Sequence, residues 1–192
     1  VQITFQMRAP SRLLPSMTVP QGQDGNCPVS LTAFEAGGMD ALVATAEVLA
    51  QFEILAEPTL LSMPLGETPD FTAFGRRAAQ KGIRIVIAAT REKRFARGLS
   101  LACQVPTIRI PLAAEASVEA GLAALMEGEG VHDAAVDSGS FATVALGEAG
   151  ARNAALLAVA ILALRDERLS AAWRAFRERQ TQAVLSQPPL RG

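Results

Sequence analysis

Five short runs of apolar and β-branched residues recur along this chain, with helix-length segments between them, and that alternation limits the folds open to it. The runs are Val29–Phe34, Ala56–Met63, Ile83–Ala89, Thr107–Pro111 and Phe141–Leu146. Helical periodicity is expected from Met39 to about Phe52. Thr68-Pro69-Asp70 then reads as a helix start, with Thr68 as N-cap, and the helix runs to the Lys81-Gly82 stop. Further helices are expected over some ten residues ending before Pro106, over Ser117–Met126, over Ala149–Leu164 and over Leu169–Leu185. Strands alternating with helices of this length imply right-handed βαβ units, a parallel sheet and a three-layer, doubly wound α/β domain. In such domains ligands bind outside the carboxyl ends of the strands. That selects the loops after Phe34, Met63, Ala89 and Pro111.

A chain of 192 residues, 49% hydrophobic, fits one domain with a full core. Residues 1–28 carry four prolines and no sustained periodicity, and they read as an N-terminal extension to a domain over residues 29–192. The extension is either a tail or a segment that docks on a neighbouring subunit. A formal net charge of −1 argues against a dedicated nucleic-acid binder. Cys27 and Cys103 stand in unrelated contexts without a Cys-x-x-Cys pair, so no metal site is expected and both thiols are taken as reduced. The longest apolar run, Ala154–Leu164, has 11 residues against the roughly 18 needed to span a bilayer. The first residues lack the pattern of a secretory signal, and the expectation is a cytoplasmic protein without membrane contact. The final helix is longer than one sheet face requires, and Trp173, Phe176 and Val184 on it call for a partner surface.

The C-terminal third carries a specific likeness. Phe141-Ala-Thr-Val-Ala-Leu-Gly147 leads into Glu148-Ala-Gly-Ala-Arg-Asn-Ala-Ala-Leu-Leu157, then Arg165-Asp-Glu-Arg-Leu169 and Gln180-Thr-Gln-Ala-Val-Leu185. This closely resembles the end of the PurE family, small purine-biosynthesis enzymes acting on carboxylated aminoimidazole ribonucleotides. Thr68-Pro69-Asp70, the Lys81-Gly-Ile-Arg-Ile-Val-Ile-Ala88 run and Val105-Pro106 before Ile110-Pro111 keep order and spacing with it, so the likeness spans Pro28 to Leu185. The resemblance implies a flavodoxin-like, five-stranded parallel sheet with an extra long C-terminal helix. It also implies a homo-octamer with sites shared between subunits, and no cofactor.

The family's three site motifs are absent. Where the family has a Gly-Ser-x-Ser-Asp-Trp turn for phosphate and sugar, this chain has Phe34, Glu35, Ala36, Gly37, Gly38 and Met39. Its Ser-Ala-His-Arg-Thr-Pro motif keeps only Thr68 and Pro69, with Pro64, Leu65, Gly66 and Glu67 before them; Gly66 stands at the proton-transferring His. The Gly-Ala-Gly-Gly-Ala-Ala-His-Leu-Pro-Gly loop is replaced by the run Ala89 to Gly98, which includes Thr90, Arg91, Glu92, Lys93, Arg94 and Arg97.

What chemistry remains rests on few groups. Gly37 and Gly38 either offer backbone N–H groups to an anion or merely form a turn. Thr90 is expected to cap the next helix, with Arg91 and Arg94 three apart on it, facing a small carboxylate or phosphate. Alternatively these bases pair with Glu35, Glu67 or Glu92 and fill the vacated pocket. His132, the single histidine, sits beside Asp133 in the loop before the fifth strand and is a candidate acid–base group or a solvated loop residue. Cys103 reads as a structural thiol. Three functions stay open: an oligomeric anion-binding, regulatory or scaffold protein; an enzyme of changed reaction using Glu35, Glu67, Arg91 and His132; and the family's carboxylate transfer. An open cleft with Glu35 and Arg91 apart favours an enzyme or binder, and a mutually paired cluster favours a scaffold.

Overall fold

A computed structural model of the chain describes residues 27–61, 69–113, 119, 122 and 141–186. Residues 1–26 of the N-terminal extension, Gly66, Glu67, Thr68, His132 and most of the helix expected over Ser117–Met126 lie outside the described residues; Glu119 and Leu122 are helical.

The alternating pattern produces five parallel strands, β1 (Val29–Ala33), β2 (Ala56–Leu60), β3 (Ile85–Thr90), β4 (Thr107–Pro111) and β5 (Phe141–Thr143). Their order is β2-β1-β3-β4-β5. Val29 is opposite Ala56 on one side and Ile85 on the other, and Ile87 is opposite Ile108. The helices are α1 (Ala36–Gln51), α2 (Phe71–Gln80), α3 (Lys93–Cys103), α4 (Gly147–Ala163) and α5 (Glu167–Leu185). Helices α1 and α4 cover one face; α2 and α3 cover the other.

Strand side chains alternate between faces, and here the two faces differ in chemistry. On the α1/α4 side, Leu31, Ile85, Ile87, Ile108 and Ile110 meet Leu49 of α1 and the Ala154, Ala155, Ala158 and Val159 surface of α4, all essentially buried. Small α4 residues bring that helix close to α1, where the buried Thr45 Oγ1 donates to Ala151 O at 3.1 Å. On the α2/α3 side, Val86, Ala88, Phe74, Ala78 and Leu99 form a smaller apolar cluster. The same side of the sheet buries Ser30, Thr32, Thr90, Thr107 and Arg109.

Several boundaries differ from those the sequence predicts. Helix α1 begins at Ala36 rather than Met39, so Gly37 and Gly38 lie inside its first turn and are no separate turn. Asp70, not Thr68, caps α2, its Oδ1 accepting from Ala73 N at 2.8 Å. Asp is as good a cap as Thr, and its one-turn reach to the N–H three residues on decides the start. Strand β5 stops at Thr143, three residues before the expected Leu146. Val144 N donates to Arg109 O, and the chain then bends into α4, the Ala145 carbonyl pressing so close to Gly150 that a Cβ there would lie 1.6 Å from its oxygen. Trp173 and Phe176, half-buried, meet a surface within the chain: they stack on each other with centroids 5.7 Å apart and meet Phe52, at the end of α1, at 6.3 and 5.5 Å. Val184 stays 66% exposed.

Candidate functional site

The strand order reverses direction between β1 and β3, and their carboxyl ends open the crevice in which a doubly wound sheet places ligands. Glu35 leaves the end of β1 and Arg91 the end of β3. Glu35 Oε2 lies 3.1 Å from Arg91 Nε, and Glu35 Oε1 accepts from the Arg91 backbone N–H at 3.0 Å. Both oxygens of the carboxylate are thus engaged by one residue across the switch point. Gly38 seats α1 over the same two strands, because a Cβ there would lie 3.0 Å from Ala33 Cβ and 3.1 Å from Ala89 O. At Gly37 an added Cβ would meet nothing within 4 Å, so that position faces open space.

Beside the ion pair lies an aromatic cluster that sequence reasoning missed. Phe34, after β1, stacks on Phe95 in the first turn of α3, with centroids 4.7 Å apart and planes at 20°. Phe71, opening α2, meets Phe34 edge-on at 6.3 Å and Phe95 at 6.4 Å. Each ring comes from a different loop–helix junction. Phe34 stands at the first glycine of one expected motif and Phe95 at the histidine of another. The signal was available: three of the eight phenylalanines fall just past strand ends or at a helix start. Each aromatic pair contributes about 0.5–1.5 kcal/mol beyond its area burial.

The bases after β3 are not arranged as expected. Arg91 precedes α3, which starts at Lys93, so Arg91 and Arg94 do not share a helix face. Arg94 pairs with Glu92 and lies over the Phe95 ring at 5.1 Å, and Lys93 reaches the Phe141 ring at 6.0 Å. Thr90 does not cap α3. It is the buried last residue of β3, its Oγ1 accepting from Glu92 N at 3.1 Å to tighten the turn, and Glu92 takes the cap position without a side-chain bond. The short hydroxyl reaches two residues on and stops before the helix begins.

Arg109 is the second feature the sequence did not announce. It lies mid-strand in β4, wholly buried, and its Nη2 donates to the Arg91 carbonyl. The bond ties β4 to the turn after β3, on the residue whose own N–H meets Glu35. Cys27 and Cys103 both pack on the α2/α3 cluster; burial pushes both thiols up, Cys103 to about 11. Nucleophilic work at neutral pH needs the reverse shift. A cavity of ≈ 100 Å³ lies elsewhere, between β2 and α2, lined by Ser30, Glu57, Thr59, Phe74, Arg77 and Lys81, with Glu57 and Lys81 paired. Among the described residues, no three His, Cys, Asp or Glu side chains converge as metal ligands, and no helix is long and apolar enough to cross a membrane.

Fold and crevice together define a flavodoxin-like α/β protein whose strand-end loops are cross-linked by side chains. The chain belongs to the AIR carboxylase (PurE) family, whose family model, described as AIR carboxylase, matches residues 36–183. It is 31% identical over 147 residues to the N5-carboxyaminoimidazole ribonucleotide mutase of Vibrio parahaemolyticus, covering 74% of this chain and 85% of that one. The mutase of Escherichia coli K12 is 32% identical over 155 residues, covering 78% and 87%. Among solved structures, Treponema denticola PurE superposes with a TM-score of 0.66 at 18% identity, over 82% of this chain and 93% of that one.

Proposed function

We propose that this chain is a PurE-family paralogue that has lost carboxyaminoimidazole ribonucleotide mutase activity and acts as an oligomeric scaffold or small-anion-binding protein. One observation carries the reading: the crevice where a ribonucleotide would lie is spanned by the Glu35–Arg91 pair. The stack of Phe34 on Phe95 lies alongside it. A nucleotide phosphate entering here would face the Glu35 carboxylate, a like-charge contact that grows costlier as solvent is excluded. Rings at the positions of a motif glycine and a motif histidine offer neither close backbone approach nor a proton carrier.

The assembly is expected to be the octamer of the family. In favour of a subunit surface, the outer half of α5 is exposed, with Val184 at 66% and Leu185 at 71%, and Leu164 before it is at 82%.

Calorimetric titration of aminoimidazole ribonucleotide into the protein, with light scattering for its mass, tests both parts. No heat at millimolar ligand and an eightfold mass are expected. Saturable binding followed by turnover of the carboxylated forms would refute loss of the activity, and a monomer would refute the assembly.

A further inference from the structure

The contact between Glu35 and Arg91 has the form of a ligand complex. A carboxylate accepts one hydrogen bond from a backbone N–H at 3.0 Å and sits 3.1 Å from a guanidinium Nε, one oxygen to each. Two donors of one residue, presented side by side, are how proteins hold small oxyanions. The cradle is held in place from below, since buried Arg109 binds the Arg91 carbonyl and Thr90 Oγ1 binds the next N–H at Glu92. It stands at the switch point, where this sheet architecture collects anions. Across from it, Glu35 holds the position before α1 without capping that helix, so its carboxylate has no local duty to its own helix.

We propose that Glu35 is a tethered stand-in for an external ligand, occupying a small-oxyanion site built by Arg91, and that a carboxylate or phosphate of a small molecule competes with it. The class of ligand is set by the cradle: two oxygens on one centre, negatively charged, and small enough to fit where the Glu35 carboxylate now sits. Displacement is feasible because the pair is only part-buried, with the Arg91 side chain 54% and the Glu35 side chain 28% exposed. Pairs of that kind are weakly held. A tethered group also competes only at its effective concentration, of millimolar order for short links. Ligands above that level exchange with Glu35, and the crevice then opens between β1 and β3.

This inference deepens the anion-binding side of the function proposed above and rests on it, but the two fail separately. Ribonucleotide turnover by the unaltered chain would overturn the proposed function, whereas the present inference is decided by Glu35 variants. Inorganic phosphate and acetate are titrated into the unaltered protein, Glu35→Ala and the double variant Glu35→Ala/Arg91→Ala, following the Arg91 amide and Nε signals by ¹⁵N NMR. In the double variant the neighbouring Glu92 amide is read instead. Glu35→Ala should bind phosphate at least about fivefold more tightly than the unaltered chain, the gain expected from removing a weakly held competitor. The double variant should lose that gain. Glu35→Gln, which keeps the shape without the charge, should fall between them and serves in place of Glu35→Ala should that variant not fold. Equal phosphate affinity with and without the Glu35 carboxylate would overturn the inference, and so would a gain that survives removal of Arg91.

Discussion

Cys103 shows what a residue's surroundings do to chemistry that its sequence position leaves open. Leu101 and Ala102 beside it pointed to a structural thiol, and burial raises its pKa to about 11 from 9.0. At pH 8 its thiolate fraction should be about 100-fold below that of a free thiol. In a Cys27→Ser background, iodoacetamide should therefore label it slowly, at a rate that climbs until about pH 11; rapid labelling at pH 8 would contradict this. The linked effect on stability has a definite direction. Below pH 9 folded and unfolded chains both keep the proton, and the full stability is present. From pH 9.0 toward about 11 the unfolded thiol ionises first, so stability falls as pH rises through that window. Glu35 and Arg91 were legible as residues of interest because opposite charges had entered neighbouring strand-end loops. Arg109 was not legible: Thr-Ile-Arg-Ile-Pro reads as an ordinary strand, and wholly buried arginines are rare enough that periodicity alone never places one.

Among the elements, those with sustained periodicity were read closely, while their ends depended on local bonds that composition does not encode. Strand β4 was expected over Thr107–Pro111 and is observed there, because flanking Pro106 and the Ile alternation leave little choice. Thr68 as cap puts Pro69 at the first helical position; the bond from Ala73 N to Asp70 moves the start two residues on. Two glycines set a contrast between junctions. Gly150→Ala forces a Cβ against the Ala145 carbonyl, a backbone atom that cannot swing aside, and should cost at least about 1–3 kcal/mol by thermal or urea unfolding. Gly37→Ala meets open space in a helical turn and should be neutral or stabilise by up to about 1 kcal/mol. Equal losses from both would show that the seam between β5 and α4 is looser than drawn. The aromatic cluster escaped prediction for a related reason: Phe34, Phe71 and Phe95 belong to three junctions far apart in sequence, and only the sheet order brings them together.

For the whole molecule, the alternation of strands and helices sufficed to define layers and parallel pairing, and the preserved C-terminal third sufficed for the family. The unlike chemistry of the two sheet faces lay a level deeper. One side of the sheet presents only hydrocarbon to α1 and α4, with the Thr45 hydroxyl between those helices; the other sets hydroxyls and a guanidinium beneath α2 and α3. Apolar area removed from water is worth roughly 25 cal/mol per Å², whereas a buried hydroxyl or cation gains little over its hydrated state. The two halves of the sandwich should therefore not breathe together. In native-state hydrogen exchange, amides of α2 and α3 should open in a partial unfolding of lower free energy, while β3, α1 and α4 exchange only with global unfolding. A single common opening energy for all four helices would refute this. The layer expected to loosen first bears Phe71 and Phe95, which places the weakest seam next to the strand-end loops that those rings line.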